Sequence, residues 1–292
     1  MNDLPRGISS SIRLFADDCL LYRTINDIGD GLSLQRDLDA LSKWEKDWQM
    51  AFNIEKCHTM CISTGKVVNP GYQYTLNNYP LERVHHHSYL GVLISEDLKW
   101  ASHIAQTTSG AYQTLGVIRR NFRTASAEYK SKLYCSLVRP KLEYANSVWY
   151  PYLQKDKHRL DMVQRSAARI CFNNYLREPG VVTDMLSRLG WPSLEGRRTL
   201  SRMSMFHRVV YRSVDIERES YLVPMARTSR NGNTKRFLRP HSNCNQHANS
   251  FFPWGIRFWN ELPGSITDIE SLEKFKVELI NFMIEKDMWF WI

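Results

Sequence analysis

Two adjacent carboxylates, Asp17 and Asp18, stand between apolar runs in the stretch Ser11-Ile12-Arg13-Leu14-Phe15-Ala16-Asp17-Asp18-Cys19-Leu20-Leu21-Tyr22-Arg23. The alternation of Ile12, Leu14, Leu20 and Tyr22 predicts two short strands joined by a tight acidic turn. Carboxylates at a hairpin tip repel each other. Mg²⁺ removes that cost, because it is a hard ion that takes one or two carboxylates together with substrate phosphates. The chemistry open to the pair is a metal held between protein and phosphate. The alternative is an Asp-Asp turn that faces water.

Other metal-type residues are less convergent. Cys57 and Cys61 point to one side of a predicted strand and His58 to the other. His85, His86 and His87 follow one another on an extended segment, so neighbours face opposite ways and solvent or phosphate contacts are expected. His241, Cys244 and His247 are one ligand short of a structural zinc site and are read as loop residues.

Charge is uneven along the chain. Residues 1–98 carry 9 Lys+Arg against 13 Asp+Glu, a balance of −4, and residues 99–292 carry 30 against 17, a balance of +13. An acidic front that can hold a metal and a basic back that can hold phosphates suit an enzyme of nucleic acid; a protein with a merely basic surface is the alternative. Candidate phosphate contacts are the run Arg119, Arg120 and Arg123, the helix residues Arg165 and Arg169, and Arg197, Arg198 and Arg202 further on. Length, 43% hydrophobic and 12% aromatic residues permit two domains or one large one. No apolar run reaches the ~18 residues of a membrane span, and no basic-then-apolar leader is visible. Six cysteines spread singly fit reduced thiols in an intracellular, nuclear or cytoplasmic protein.

The elements expected to carry these residues follow from spacing. After a polar break at Asp27 to Gly31, a helix capped by Ser33 places Leu34, Leu38, Leu41 and Trp48 inward, packs on a sheet, and leaves Asp37, Asp39 and Glu45 in solvent. The chain turns at Asn53 into a strand through Thr59 and Ile62, and turn residues from Gly65 to Asn78 predict a hairpin. A second hairpin spans Val84 to Trp100. From Ser102 the pattern is helical: Ala125 to Val138 capped by Ser126, a break at Pro140 with a short helix to Trp149, Asp156 to Phe172, and Trp191 to about Tyr211. Ser220 to Asn260 has no acid and reads as a mobile basic loop, with Arg227, Arg230, Lys235, Arg236 and Arg239, running into an aromatic cluster. Thr267 to Glu270 predicts a capping box for a last helix with Leu272, Phe275, Leu279 and Phe282 on one face.

Asn2-Asp3-Leu4-Pro5 followed by Leu14-Phe15-Ala16-Asp17-Asp18 resembles the palm of reverse transcriptases from non-LTR (LINE-type) retrotransposons. The resemblance continues through Asn53 to Cys57, Tyr89-Leu90-Gly91-Val92, Leu133 to Trp149 and Trp259-Asn260-Glu261-Leu262-Pro263, nearly the whole chain. It implies an α+β fold: a partial palm over 1–98, a helical thumb-like region over 99–219, a basic linker over 220–250 and an aromatic, helical end over 251–292. It also implies RNA-directed DNA polymerisation with Mg²⁺ on Asp17 and Asp18, and Lys56 near the incoming triphosphate as a general acid. Tyr89, Leu90 and Gly91 would be a primer grip; RNA template, DNA primer and deoxynucleoside triphosphates would be the partners. In that family the fingers and the first catalytic Asp precede the Asp-Asp box, so this chain alone is expected to polymerise little and to leave palm strands with an uncovered apolar face. The alternative is a non-catalytic nucleic-acid-binding remnant that uses the basic helices.

Overall fold

Residues Ser11–Phe15 (β1) and Asp18–Tyr22 (β2) pair antiparallel, Ile12 opposite Leu21 and Phe15 opposite Asp18, so Ala16 and Asp17 alone make the turn. The computed structural model describes residues 4, 7–63, 72–225 and 233–290, and the chain divides into two compact units between Lys99 and Trp100. The turn expected at Asn69-Pro70-Gly71, and Arg227 and Arg230 of the basic loop, lie outside the described residues.

Helix α1 covers Ile28–Asp47, starting earlier than Ser33 because the Asp27 side chain accepts from the Asp30 amide. The supposed polar break is thus the helix's first turn. A short 3₁₀ turn at Ile54–Lys56 leads to β3 (His58–Thr59), then β4 (Thr75–Leu76), β5 (Tyr79–Pro80), β6 (Glu82–Arg83), β7 (His86–Tyr89) and β8 (Val92–Ser95). Among the described residues these strands make four separate two-stranded ladders, with β3–β6 parallel and β4–β5 and β7–β8 antiparallel. There is therefore no broad sheet under α1. The core is small: Leu4, Leu41, Leu76 and Leu81 are buried, with Ile12, Leu21, Leu38 and Trp44 against them.

Polar side chains of α1 take over part of what a larger core would do. Gln35 donates to the Thr75 carbonyl and accepts from its amide, each at 2.9 Å. Asp37 and Glu45, expected in solvent, are buried. Glu45 accepts from the Phe52 amide at 2.9 Å and from the Asn77 side chain. The spacing of Asp37 explains the correction, since it lies three residues after Leu34 and four before Leu41, on the helix's inner stripe.

The second unit is helical. Its helices are α2 (Ala101–Asn121), α3 (Ala127–Leu133), α4 (Arg139–Glu143), α5 (Gln154–Phe172), α6 (Val181–Arg188), α7 (Leu194–Val210), α8 (Asn245–Ala248), α9 (Phe251–Glu261), α10 (Gly264–Thr267) and α11 (Leu272–Glu285). A π-helical stretch, Tyr134–Val138, joins α3 to α4, so Pro140 sits in the first turn of α4 and does not break the chain there. Beyond Glu143 the backbone turns extended at Tyr144 and no helix forms to Trp149. Ser126 caps α3, as expected, and Ser193 caps α7. The cap of α11 is Ser271, because Thr267 is buried within α10.

A large aromatic core joins α7, α9 and α11 through Phe206, Trp254, Trp259, Phe275 and Leu279. The described part of the acid-free stretch is anchored to it. Asn233 is fully buried and donates to the Trp259 and Leu262 carbonyls, and Trp259 Nε1 donates to the Lys235 carbonyl at 2.7 Å. Those residues are a strap on the core, in place of the mobile loop that composition implied. Among the described residues no helix is long and apolar enough to cross a membrane.

Candidate active site and basic surface

The acidic turn is held from below by carboxylates of α1. Asp37 accepts from the Ser9 amide at 2.9 Å, the Ser9 hydroxyl at 3.0 Å and the Ser10 amide at 2.8 Å, which fixes the residues entering β1. At the exit of β2, Arg23 pairs with Asp30 at 3.2 Å and donates to the Ser9 hydroxyl at 3.2 Å. Both ends of the hairpin are thus tied to one helix. Burial opposes ionisation of Asp37, yet the hydrogen bonds from Ser10 and Ser9 hold its carboxyl below the usual range. The Asn26 amide first, then Arg23, do the same for Asp30.

At the tip, Ala16 has φ +52°, a left-handed conformation that costs a non-glycine residue roughly 1–2 kcal/mol. Asp17 and Asp18 are both exposed. Antiparallel pairing puts Asp18 on the face that also carries Phe15, Leu20 and Tyr22, which are 61%, 38% and 46% exposed. This is the uncovered apolar face expected for the hairpin.

The β7–β8 hairpin turns at Leu90 and Gly91, with φ +47° and +75°. Its Tyr89 and His87, two residues apart on β7, are both within electrostatic reach of Asp18. Burial lifts the Tyr89 hydroxyl above its ordinary pKa, and Asp18 then Cys19 add to that. Burial and the neighbouring His58 ring, 5.4 Å away, push His87 down, while Asp18 pulls it up. The charge of Asp18 thus acts on Tyr89 and His87, far from it in sequence. His87, expected with His85 and His86 to meet solvent or phosphate, is half-buried on the same side of β7 as Tyr89. Lys56 is exposed at the end of the 3₁₀ turn and makes no ion pair among the described residues.

The basic residues divide into three groups. Arg119, Arg120 and Arg123 are exposed at the end of α2 and just beyond. Arg165 and Arg169 are half-buried on α5, and Arg197 is held by Glu143 through paired contacts, one of them Nη2 to Oε2 at 2.8 Å. Arg198 and Arg202 correct the expectation of a phosphate contact: they are 0% and 1% exposed. They lie eight and four residues before Phe206 and so share the inner stripe of α7. Arg202 stands 4.7 Å from the Tyr150 and Trp254 ring centres, and burial lowers it to about 10.

Comparison with known proteins adds a family likeness. Over 144 residues the chain is 28% identical to the RNA-directed DNA polymerase from mobile element jockey of Drosophila funebris, covering 47% of this chain and 15% of that protein. About half of this chain is similar to a mobile-element polymerase. Over 159 residues it is 24% identical to the probable RNA-directed DNA polymerase from transposon BS of Drosophila melanogaster, covering 53% of this chain and 18% of that one. The chain thus matches under a fifth of the length of either relative. No family model and no solved structure matches it.

Such a polymerase implies a divalent metal, and the donors of the acidic turn suit one in part. Asp17 and Asp18 offer hard carboxylate oxygens, the ligand type Mg²⁺ prefers, on an accessible tip where phosphates and water can complete the shell. Among the described residues no group of three or more His, Cys, Asp or Glu converges as a metal cage.

Proposed function

We propose that this chain is part of an RNA-directed DNA polymerase, with Asp17 and Asp18 as its metal ligands. Its partners in this reading are an RNA template, a DNA primer and deoxynucleoside triphosphates. Bound Mg²⁺ would supply charge neutralisation for nucleotidyl transfer. The chain's own residues do the rest. The α1 clamps at Asp30 and Asp37 aim the acidic turn; Tyr89, Leu90 and Gly91 serve as the primer grip; and Lys56 is the proton donor for the leaving pyrophosphate. Arg119, Arg120 and Arg123 meet the phosphate backbone. The observation that carries the reading is the pair of adjacent, exposed carboxylates at the tip of a hairpin tied at both ends to α1.

A second reading is a nucleic-acid-binding protein without catalysis. It is favoured by the lack, among the described residues, of a third ligand beside Asp17 and Asp18. One experiment separates the two. Mn²⁺ is titrated into the 292-residue chain with a deoxynucleoside triphosphate present, and water-proton relaxation is followed. The polymerase reading expects an enhancement that Asp17→Asn and Asp18→Asn each reduce about tenfold in affinity, as loss of one of few charged ligands does. An enhancement indifferent to both substitutions sinks it.

A further inference from the structure

A groove of about 470 Å³ runs along the outer face of α7, between the end of α4 and α11. Its polar lining includes Glu143, Ser147, Arg197, Ser201, Arg208 and Lys276. Glu143 is neutralised by Arg197, so this pair fixes one wall without adding charge. Two cations remain. Arg208 is exposed and makes no ion pair among the described residues. Lys276 pairs at 2.8 Å with Glu273, whose side chain is 80% exposed; such a surface pair is weak and yields readily to a polyanion. The Ser204 hydroxyl is committed to the Leu200 carbonyl at 2.7 Å, which leaves Ser201 and Ser147 as hydroxyl donors in the groove.

We infer that this groove binds the phosphodiester backbone of a single nucleic-acid strand. The inference rests on the nucleic-acid reading proposed above and gives it a site distinct from the acidic turn. Guanidinium, ammonium and hydroxyl donors are the groups that hold phosphate oxygens. Seven residues separate Ser201 from Arg208, about 10.5 Å along a helix, which matches roughly three nucleotides at 3.4 Å per step of one strand. No aromatic ring lines the groove, so nothing there stacks on a base. Binding is therefore indifferent to sequence and steeply dependent on salt. Arg208 and Lys276 are the two cations that meet the strand, Lys276 by exchanging its exposed Glu273 partner for phosphate.

The test uses the full chain and labelled oligouridine and oligodeoxyadenosine across a salt series. The double variant Arg208→Gln/Lys276→Gln is expected to bind both about tenfold more weakly at 0.1 M salt. Its slope of log K against log salt is expected to fall by about 1.4, two contacts at ~0.7 each for single strands. The exchange variant Arg208→Lys/Lys276→Arg keeps both charges and is expected to bind within about twofold of the parent. Melting by circular dichroism checks that each variant folds. Unchanged affinity and slope in the Gln/Gln variant overturn the inference, as does a loss of affinity with no change of slope, or equal loss in the exchange variant. Competition by oligoglutamate as strong as by oligonucleotide would make the groove an acidic-peptide site and overturn it too. The outcomes separate from those of the metal titration. Metal binding that depends on Asp17, with an unaltered Gln/Gln variant, removes the groove alone. A working groove with no Asp17-dependent metal removes the polymerase reading alone.

Discussion

Residues 7–99 put their uncommitted carboxylates, Asp17 and Asp18, outside, and use the buried ones, Asp37 and Glu45, to hold backbone. In residues 100–290 the buried charges are mostly cations, Lys130, Arg198 and Arg202 beside one carboxylate, Asp156; Lys130 donates to the Arg123 carbonyl and Arg202 packs on aromatic rings. The first unit has few buried apolar residues, so each backbone hydrogen bond to an α1 side chain carries a large share of its stability. The second has a broad aromatic core, which can absorb the cost of desolvating cations through cation–π contact. The comparison says where each unit breaks. One fails when a polar clamp is cut, the other when a ring is removed.

The largest effect is expected in the aromatic unit. Trp259 is fully buried, packs on Phe206 and Phe275 at 5.5 and 5.8 Å, and donates to the Lys235 carbonyl that holds the strap. Trp259→Ala removes the packing and orphans that carbonyl, at a cost of about 3–5 kcal/mol. Hydrogen exchange should quicken across α7, α9, α11 and residues 233–237, with α1 and the β1–β2 hairpin unchanged. Quickening confined to α9 would mean that the strap and the core are not one cooperative body.

Next comes Asp37, which also shows what could be read beforehand. The acidic turn, the β7–β8 hairpin and the Ser126 cap of α3 are legible because strand alternation, turn residues and capping serines act locally. Asp37, Arg198 and Arg202 were misread because a polar residue on an apolar stripe was assigned to solvent by type, when its spacing from Leu34, Leu41 or Phe206 placed it inside. The influence of Asp18 on Tyr89 is not legible in the sequence, since long-range electrostatics leaves no local trace. Asp37→Ala should cost about 1–3 kcal/mol, through the buried Ser10 amide and the part-buried Ser9 amide left without a partner. Because the folded state lowers the Asp37 pKa below its ordinary 3.8, the stabilisation is fully present above that value and is lost as pH falls through the folded one. Hydrogen exchange at β1 should therefore quicken on acidification below about 4 in the parent and stay flat in Asp37→Ala. Equal acid sensitivity in both proteins would assign the effect elsewhere.

The smallest effect on stability, and the most direct probe of the open hairpin face, is expected from Phe15→Ser and Leu20→Ser. Both side chains lie on the Asp18 face, well exposed, away from the Leu41–Leu76 core. Removing apolar surface already in water should change unfolding free energy by no more than about 0.5 kcal/mol. The same substitutions should lower concentration-dependent association, because an apolar, strand-bearing edge is the surface through which chains stick. Light scattering measures the second and urea unfolding the first. A drop above 1.5 kcal/mol (about three times that bound) would mean that Phe15 and Leu20 are already covered. Unchanged association would move the adhesive surface elsewhere, for instance to Ile28 and Leu32, which are 67% and 46% exposed at the start of α1. Either result would redraw the contrast between a unit that keeps its apolar face open around a pair of carboxylates and one that has closed its own around arginines.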